Sequence, residues 1–109
     1  MSVAEIENPA VADLELASVL FALSDPARLA IVRQLAGASA WATCQTVALD
    51  MPKSTRSHHL KVLREAGVVW SQPHGRERVL TLRVEDLQSR WRGLLTAILA
   101  EEPAPAPVS

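Results

Sequence analysis

The segment from Met51 to Arg78, MPKSTRSHHLKVLREAGVVWSQPHGRER, constrains the fold more than any other part of the chain, because its pattern changes twice within it. Asp50-Met51-Pro52 makes a tight turn. From Lys53 the apolar residues Leu60 and Leu63 follow helical spacing, and Gly67 supplies the left-handed stop. Val68-Val69-Trp70-Ser71-Gln72 is then rich in strand formers, Pro73-His74-Gly75-Arg76 is a turn cluster, and Arg78-Val79-Leu80-Thr81-Leu82-Arg83 is a second strand. A helix that ends on glycine and runs into a two-stranded hairpin leaves few architectures open.

The remainder reads as a frame for this piece. Residues 1–8 lack periodicity and form a flexible lead. From Pro9 to Leu23, Val11, Leu14, Ala17 and Phe21 make one helical stripe, and Leu16, Val19, Leu20 and Leu23 make a second. A helix apolar on two sides is buried on two sides, one of them against a partner. Asp25 is an N-cap with Pro26 in the first helical position, and that helix runs to about Ala36 with Gly37 as its stop. Thr43 caps a short helix from Cys44 to Leu49, which the turn before Lys53 joins to the next helix at helix-turn-helix spacing. Helical spacing returns from Val84 to Ala100 through Leu87, Trp91, Leu94 and Ile98, with Leu95 and Leu99 beside them. The tail, 101–109, alternates proline and is expected to be disordered. The expected fold is mostly α with a small two-stranded β wing, in the order α-α-α-α-β-β-α: a single winged helix-turn-helix domain over residues 9–100.

Charge is distributed unevenly along the 109 residues, although the net charge is only −1. Residues 1–50 carry two basic and six acidic side chains, 51–83 carry seven basic and two acidic, and 84–109 carry two basic and four acidic. All three histidines, His58, His59 and His74, fall in the basic middle. This is the electrostatic footprint of a face that binds a polyanion. Apolar residues make up 49% of the chain, more than a small monomer readily hides, which points to self-association.

At about 100° per residue, Leu60, Leu63 and Gly67 share one side of the Lys53–Ala66 helix. Ser54, His58, Lys61 and Glu65 lie opposite, flanked by Thr55 and Ser57. Short hydroxyls, an imidazole and an ammonium suit phosphates and base edges in a major groove. Ser54, Thr55, Ser57 and His58, in the N-terminal half, are the expected readers, with Lys53 and Lys61 on phosphates. Arg56 falls on the core side, so its guanidinium either snorkels to a phosphate or pairs with an acid such as Asp50. At the hairpin tip, His74, Arg76 and Arg78 surround Gly75, where arginine suits the negative potential of an adjacent minor groove. Double-stranded DNA is thus the expected partner.

Three stretches, ALSDPARLAIVRQLA at 22–36, KSTRSHHLKVLREAGVV at 53–69 and the wing with Gly75-Arg76, resemble the arsenical-resistance-repressor (ArsR-type) family of bacterial winged-helix regulators. The resemblance covers residues 10–100. It implies a homodimer assembled through its first and last helices, with Val11, Leu14, Phe21, Leu87, Trp91, Leu94, Leu95 and Ile98 at the interface. It also implies a repressor that binds a palindromic operator and is released by a signal. The family's metal motifs are missing. The helix that carries Cys-x-Cys in metal-sensing members reads TCQTVALD here, with Cys44 alone, and the last helix has no histidine. No metal and no cofactor is expected.

Other functions fit the residues less well. There is no glycine-rich phosphate loop and no carboxylate spaced to orient a catalytic base, so an enzyme is not expected. A winged helix that docks on proteins instead of DNA would carry an acidic or apolar outward face, unlike the hydroxyl, histidine and lysine face found here. A thiol-responsive repressor would rest on Cys44, the single cysteine, which excludes an intrachain disulfide framework. The acidic start is no secretory signal, and the apolar run Val19 to Leu23 is too short to span a bilayer, so a cytoplasmic protein without membrane contact is expected.

Overall fold

The computed structural model describes residues 8–37, 42–43, 46–48 and 50–100. Its elements are α1 (Leu16–Ala22), α2 (Pro26–Gly37), α3 (Lys53–Ala66), β1 (Val69–His74), β2 (Glu77–Leu82), α4 (Val84–Arg90) and α5 (Leu94–Ala100), preceded by a short 3₁₀ turn at Val11–Asp13. This is a winged helix-turn-helix. Among the described residues no helix is long and apolar enough to cross a membrane.

Local signals account for the middle of the chain. Asp25 Oδ1 accepts hydrogen bonds from the backbone N–H groups of Ala27 (2.7 Å) and Arg28 (3.3 Å), capping α2. These bonds, Ala27's first, hold the Asp25 carboxyl below the ordinary carboxylate range, against an opposing effect of desolvation. A depressed folded value means that the carboxylate's stabilisation is fully present above the ordinary range and is lost as pH falls through the lowered value. Asp25→Asn keeps a capping side chain without the charge. Urea denaturation should therefore show wild type more stable than Asp25→Asn at pH 7, with the gap closing toward pH 2. A gap that stays constant with pH would remove the charge from the account.

Gly67 ends α3 at φ 87°, where Val68 N–H reaches back to Leu63 O (3.0 Å). Its dihedral is one that side chains other than glycine rarely adopt, and a Cβ at Gly67 would also have to displace the Leu14 side chain. β1 and β2 pair antiparallel from Val69↔Leu82 to His74↔Glu77, joined by Gly75-Arg76. β1 is longer and the turn tighter than the sequence suggests, since Pro73 and His74 pair with Arg78 and Glu77. Leu80 N–H also bonds Ala42 O (2.8 Å), and Thr43 bridges Val79, so the wing's base is tied to the segment before α3. Val69, Ser71, Leu80 and Leu82 face inward onto Leu60, Leu63, Val32 and the rest of the core, while Trp70, Gln72 and Thr81 face out.

Three expectations about the helices are corrected. The continuous helix expected over Pro9–Leu23 is broken, with Leu14 and Glu15 extended. Leu14 drops into the core over Gly67, and the backbone before it is claimed by long-range donors. Arg83 Nη1 bonds Pro9 O and Arg90 Nη1 bonds Val11 O, both at 2.7 Å. Asn8, expected in the flexible lead, is latched at both ends of its amide to the Ser71 backbone (2.9 Å each).

The helix expected over Val84–Ala100 is likewise two helices. Trp91 leaves helical geometry and Gly93 adopts φ 85°, with Gln88 Oε1 accepting from Gly93 N–H across the break (2.7 Å). In the expected short helix Cys44–Leu49, positions Cys44, Gln45 and Leu49 lie outside the described residues. Its described part, Thr46–Ala48, is a turn in which Ala48 has φ 53°.

The residues expected at a dimer interface separate into two groups. Leu14, Leu87 and Leu95 are buried within the protomer and fill its own core. Val11 and Phe21 are exposed, and Trp91, Leu94 and Ile98 are half-buried.

Candidate nucleic-acid interface

The turn entering α3 is pinned to α2. Gln34 Oε1 accepts from Ala48 N–H (3.0 Å), and Gln34 Nε2 donates to Thr46 O (3.3 Å). Thr46 Oγ1 closes the turn by accepting from Thr43 N–H (2.8 Å). α3 itself buries Leu60, Leu63 and Ala66. Lys53, Ser54, Thr55, Ser57, His58 and Lys61 are all exposed, as their spacing predicts, and Glu65 lies exposed at the far end. Arg56 is half-buried, and among the described residues it forms no ion pair with Asp50, which leaves its guanidinium for the surface.

The two adjacent histidines diverge. Their ring centroids are 5.8 Å apart and the planes tilt by 52°. His58 faces outward, whereas His59 Nδ1 lies 3.1 Å from Arg28 Nη1. Arg28 is only 6% exposed. Its Nε donates to Ala22 O (2.6 Å), its Nη2 donates to Phe21 O (3.3 Å), and its guanidinium carbon sits 5.4 Å from the Phe21 ring centroid. One side chain thus ties the end of α1 and the start of α2 to the middle of α3. Residue-by-residue reading missed Arg28, although the signal was present. It stands at i, with Ile31, Val32 and Leu35 at i+3, i+4 and i+7, so a charged residue occupies the first position of the buried face.

At the wing, His74 and Arg76 are exposed by the Gly75 turn. Arg78 is placed differently from the sequence expectation. It is drawn back from the tip, with Nε donating to Ser71 Oγ (2.8 Å) and Nη2 to Ser71 O (3.2 Å). Arg83 also leaves the basic face: it is 6% exposed, bonds Asp86 Oδ2 at 2.9 Å, and stacks 5.0 Å over Trp70. The charge count of the middle segment therefore overstates the charge available to a ligand. Among the described residues no group of three or more His, Cys, Asp or Glu side chains is placed to hold a metal ion, and Cys44 lies outside them.

Comparison with known proteins agrees with this geometry. A helix-turn-helix domain family matches residues 23–70. An HTH-type transcriptional regulator of Bacillus subtilis, YceK, is 34% identical over 84 residues, covering 75% of this chain and 84% of its own. The crystal structure of a possible transcriptional regulator for arsenical resistance superposes with a TM-score of 0.59 at 30% identity, over 76% of this chain and 84% of that one. The transcriptional repressor BigR from Xylella fastidiosa superposes with a TM-score of 0.51 at 25% identity, over 70% of this chain and 85% of its own. The chain belongs to the ArsR-type helix-turn-helix regulators. As a member of that family it is a DNA-binding transcriptional regulator and not an enzyme.

Proposed function

We propose that this regulator is a homodimeric repressor that places α3 of each protomer in successive major grooves of a palindromic operator, about 34 Å apart, with the wings over the flanking minor grooves. The observation that carries the reading is the outward face of α3: Ser54, Thr55, Ser57, His58 and Lys61 exposed together, over a helix anchored on its other side by Leu60, Leu63 and His59. In this reading Ser54, Thr55, Ser57 and His58 read bases. Lys53, Arg56 and Lys61 hold phosphates, and Arg76 with His74 reaches the minor groove. Repression follows from occupancy of the promoter and accords with the likeness to a transcriptional repressor.

Support for the dimer comes from apolar surface without a cover. Phe21 is 64% exposed and Leu20 46%. A groove of about 390 Å³ lined by Leu20, Leu23, Leu29, Leu94, Ala97 and Ile98, with Arg33 beside them, runs between α1, α2 and α5. A second copy covering this face would hide residues that a monomer leaves in water. Leu14, Leu87 and Leu95 support that interface from within the protomer core, and Phe21, Leu20, Leu94 and Ile98 form it, with Val11 and Trp91 at its rim.

Sedimentation velocity and fluorescence anisotropy on a duplex from the protein's own promoter test the proposal together. The expected results are a dimer at micromolar concentration, two protomers per duplex, and affinity that falls steeply between about 50 and 200 mM salt. A monomer in solution that binds the duplex one to one would refute it.

A further inference from the structure

Between α3 and the base of the wing lies a cleft of about 190 Å³, lined by Ser57, Lys61 and Arg64 on the helix and by Ser71 and Arg78 on the strands, with Leu60 and Leu80 as its floor. It has room for about six waters at roughly 30 Å³ each. Three cationic side chains from two different elements converge on it. Glu65 stands 4.0 Å from Arg64 with its own side chain 57% exposed, a weak and solvent-screened pairing. Arg78 is fixed in the cleft wall because Nε and Nη2 are both spent on Ser71 (2.8 and 3.2 Å). The bracing sets the plane of the guanidinium, and Nη1 is the nitrogen it leaves for a ligand. Such an arrangement is preorganised for an oxyanion: a braced guanidinium on one wall, a flexible ammonium on the other, and the exposed Ser57 hydroxyl at the rim.

We infer that this cleft seats a phosphodiester of the DNA backbone, the one on the strand that divides the major groove holding α3 from the minor groove under the wing. The inference rests on the DNA-binding reading above and adds a site to it. If α3 occupies one groove and the wing tip the next, the sugar–phosphate chain separating those grooves passes between the two elements. The cleft is what lies between them. Base edges are presented to the exposed N-terminal half of α3, so the cleft holds backbone and carries no sequence information. Arg78, expected from its position in sequence to work at the wing tip, is reassigned to this seat. Arg64, which sequence spacing did not single out, joins it.

The test is anisotropy titration of full-length wild type, Arg78→Gln, Lys61→Gln and Ser71→Ala against operator and random duplexes at several salt concentrations. Circular dichroism melting of each variant identifies any that fail to fold. Arg78→Gln and Lys61→Gln should each weaken binding about tenfold, equally on both duplexes, and lower the slope of log affinity against log salt by about one per protomer. Ser71→Ala, which removes bracing without removing charge, should leave the slope unchanged. Lys61 is exposed, so its substitution keeps the test informative even if Arg78→Gln does not fold. Wild-type slope and affinity in both folded charge variants, or a loss confined to the operator, would overturn the seat while leaving the DNA-binding reading intact. Failure of wild type to bind any duplex at low salt would overturn both.

Discussion

Arg28→Ala should destabilise the protein by about 3–4 kcal/mol and lower its melting temperature by at least about 12 °C. The magnitude follows from what the guanidinium holds. It is 6% exposed and donates to Ala22 O at 2.6 Å and Phe21 O at 3.3 Å, with His59 Nδ1 3.1 Å from Nη1. Hydrogen bonds from a charged donor are worth about 1.5–3 kcal/mol each, and their loss strands buried acceptors. Phe21 O retains Ser24 Oγ as a donor (2.6 Å), so the largest part of the penalty falls at Ala22 O and His59. Arg28→Lys keeps the charge but not the fork, and should recover part of the loss. Chemical denaturation of wild type and both variants measures this. Equal stability of Arg28→Ala and wild type would show that the three contacts contribute nothing. Because the contact with His59 ends on α3, the variant should also weaken DNA binding at temperatures where it remains folded.

Arg28 also shows where sequence reading stopped. Everything carried by local signals was legible: the Asp25 cap, the Gly67 stop, the outward face of α3, and the hairpin around Gly75. Each depends on residues within a few positions of one another, so the chain states them directly. Many of the features that were missed depend on partners farther along the chain. Leu14 follows helical spacing with Val11 and Phe21 but is withdrawn from the helix because it fits over Gly67. The stripe Leu87, Trp91, Leu94 and Ile98 keeps its period across a break at Gly93, so periodicity gave no warning of it. Arg78 and Arg83 counted as surface charge until Ser71, Asp86 and Pro9 claimed them. Arg56, out of place on the helical wheel, is the one anomaly that sequence geometry flagged in advance, and it is half-buried without Asp50 as a partner.

The second large effect concerns the readers on α3. Ser54 and His58 sit one helical turn apart on its exposed side, in the half that a winged helix inserts into the groove. Each hydrogen-bonding contact with a base edge is worth about 1–3 kcal/mol of discrimination, and a dimer makes each contact twice. Neither residue lies in the core, so Ser54→Ala/His58→Ala should fold and melt like wild type. Its non-specific affinity, carried by Lys53, Lys61, Arg76 and Arg78, should persist. The most direct measurement is competition anisotropy of this double variant on its operator, with random duplex as competitor. Operator affinity should fall about a hundredfold or more toward the random-duplex value, while random-duplex affinity stays within about twofold of wild type. Undiminished preference for the operator, or an equal loss on both duplexes, would contradict their role as readers.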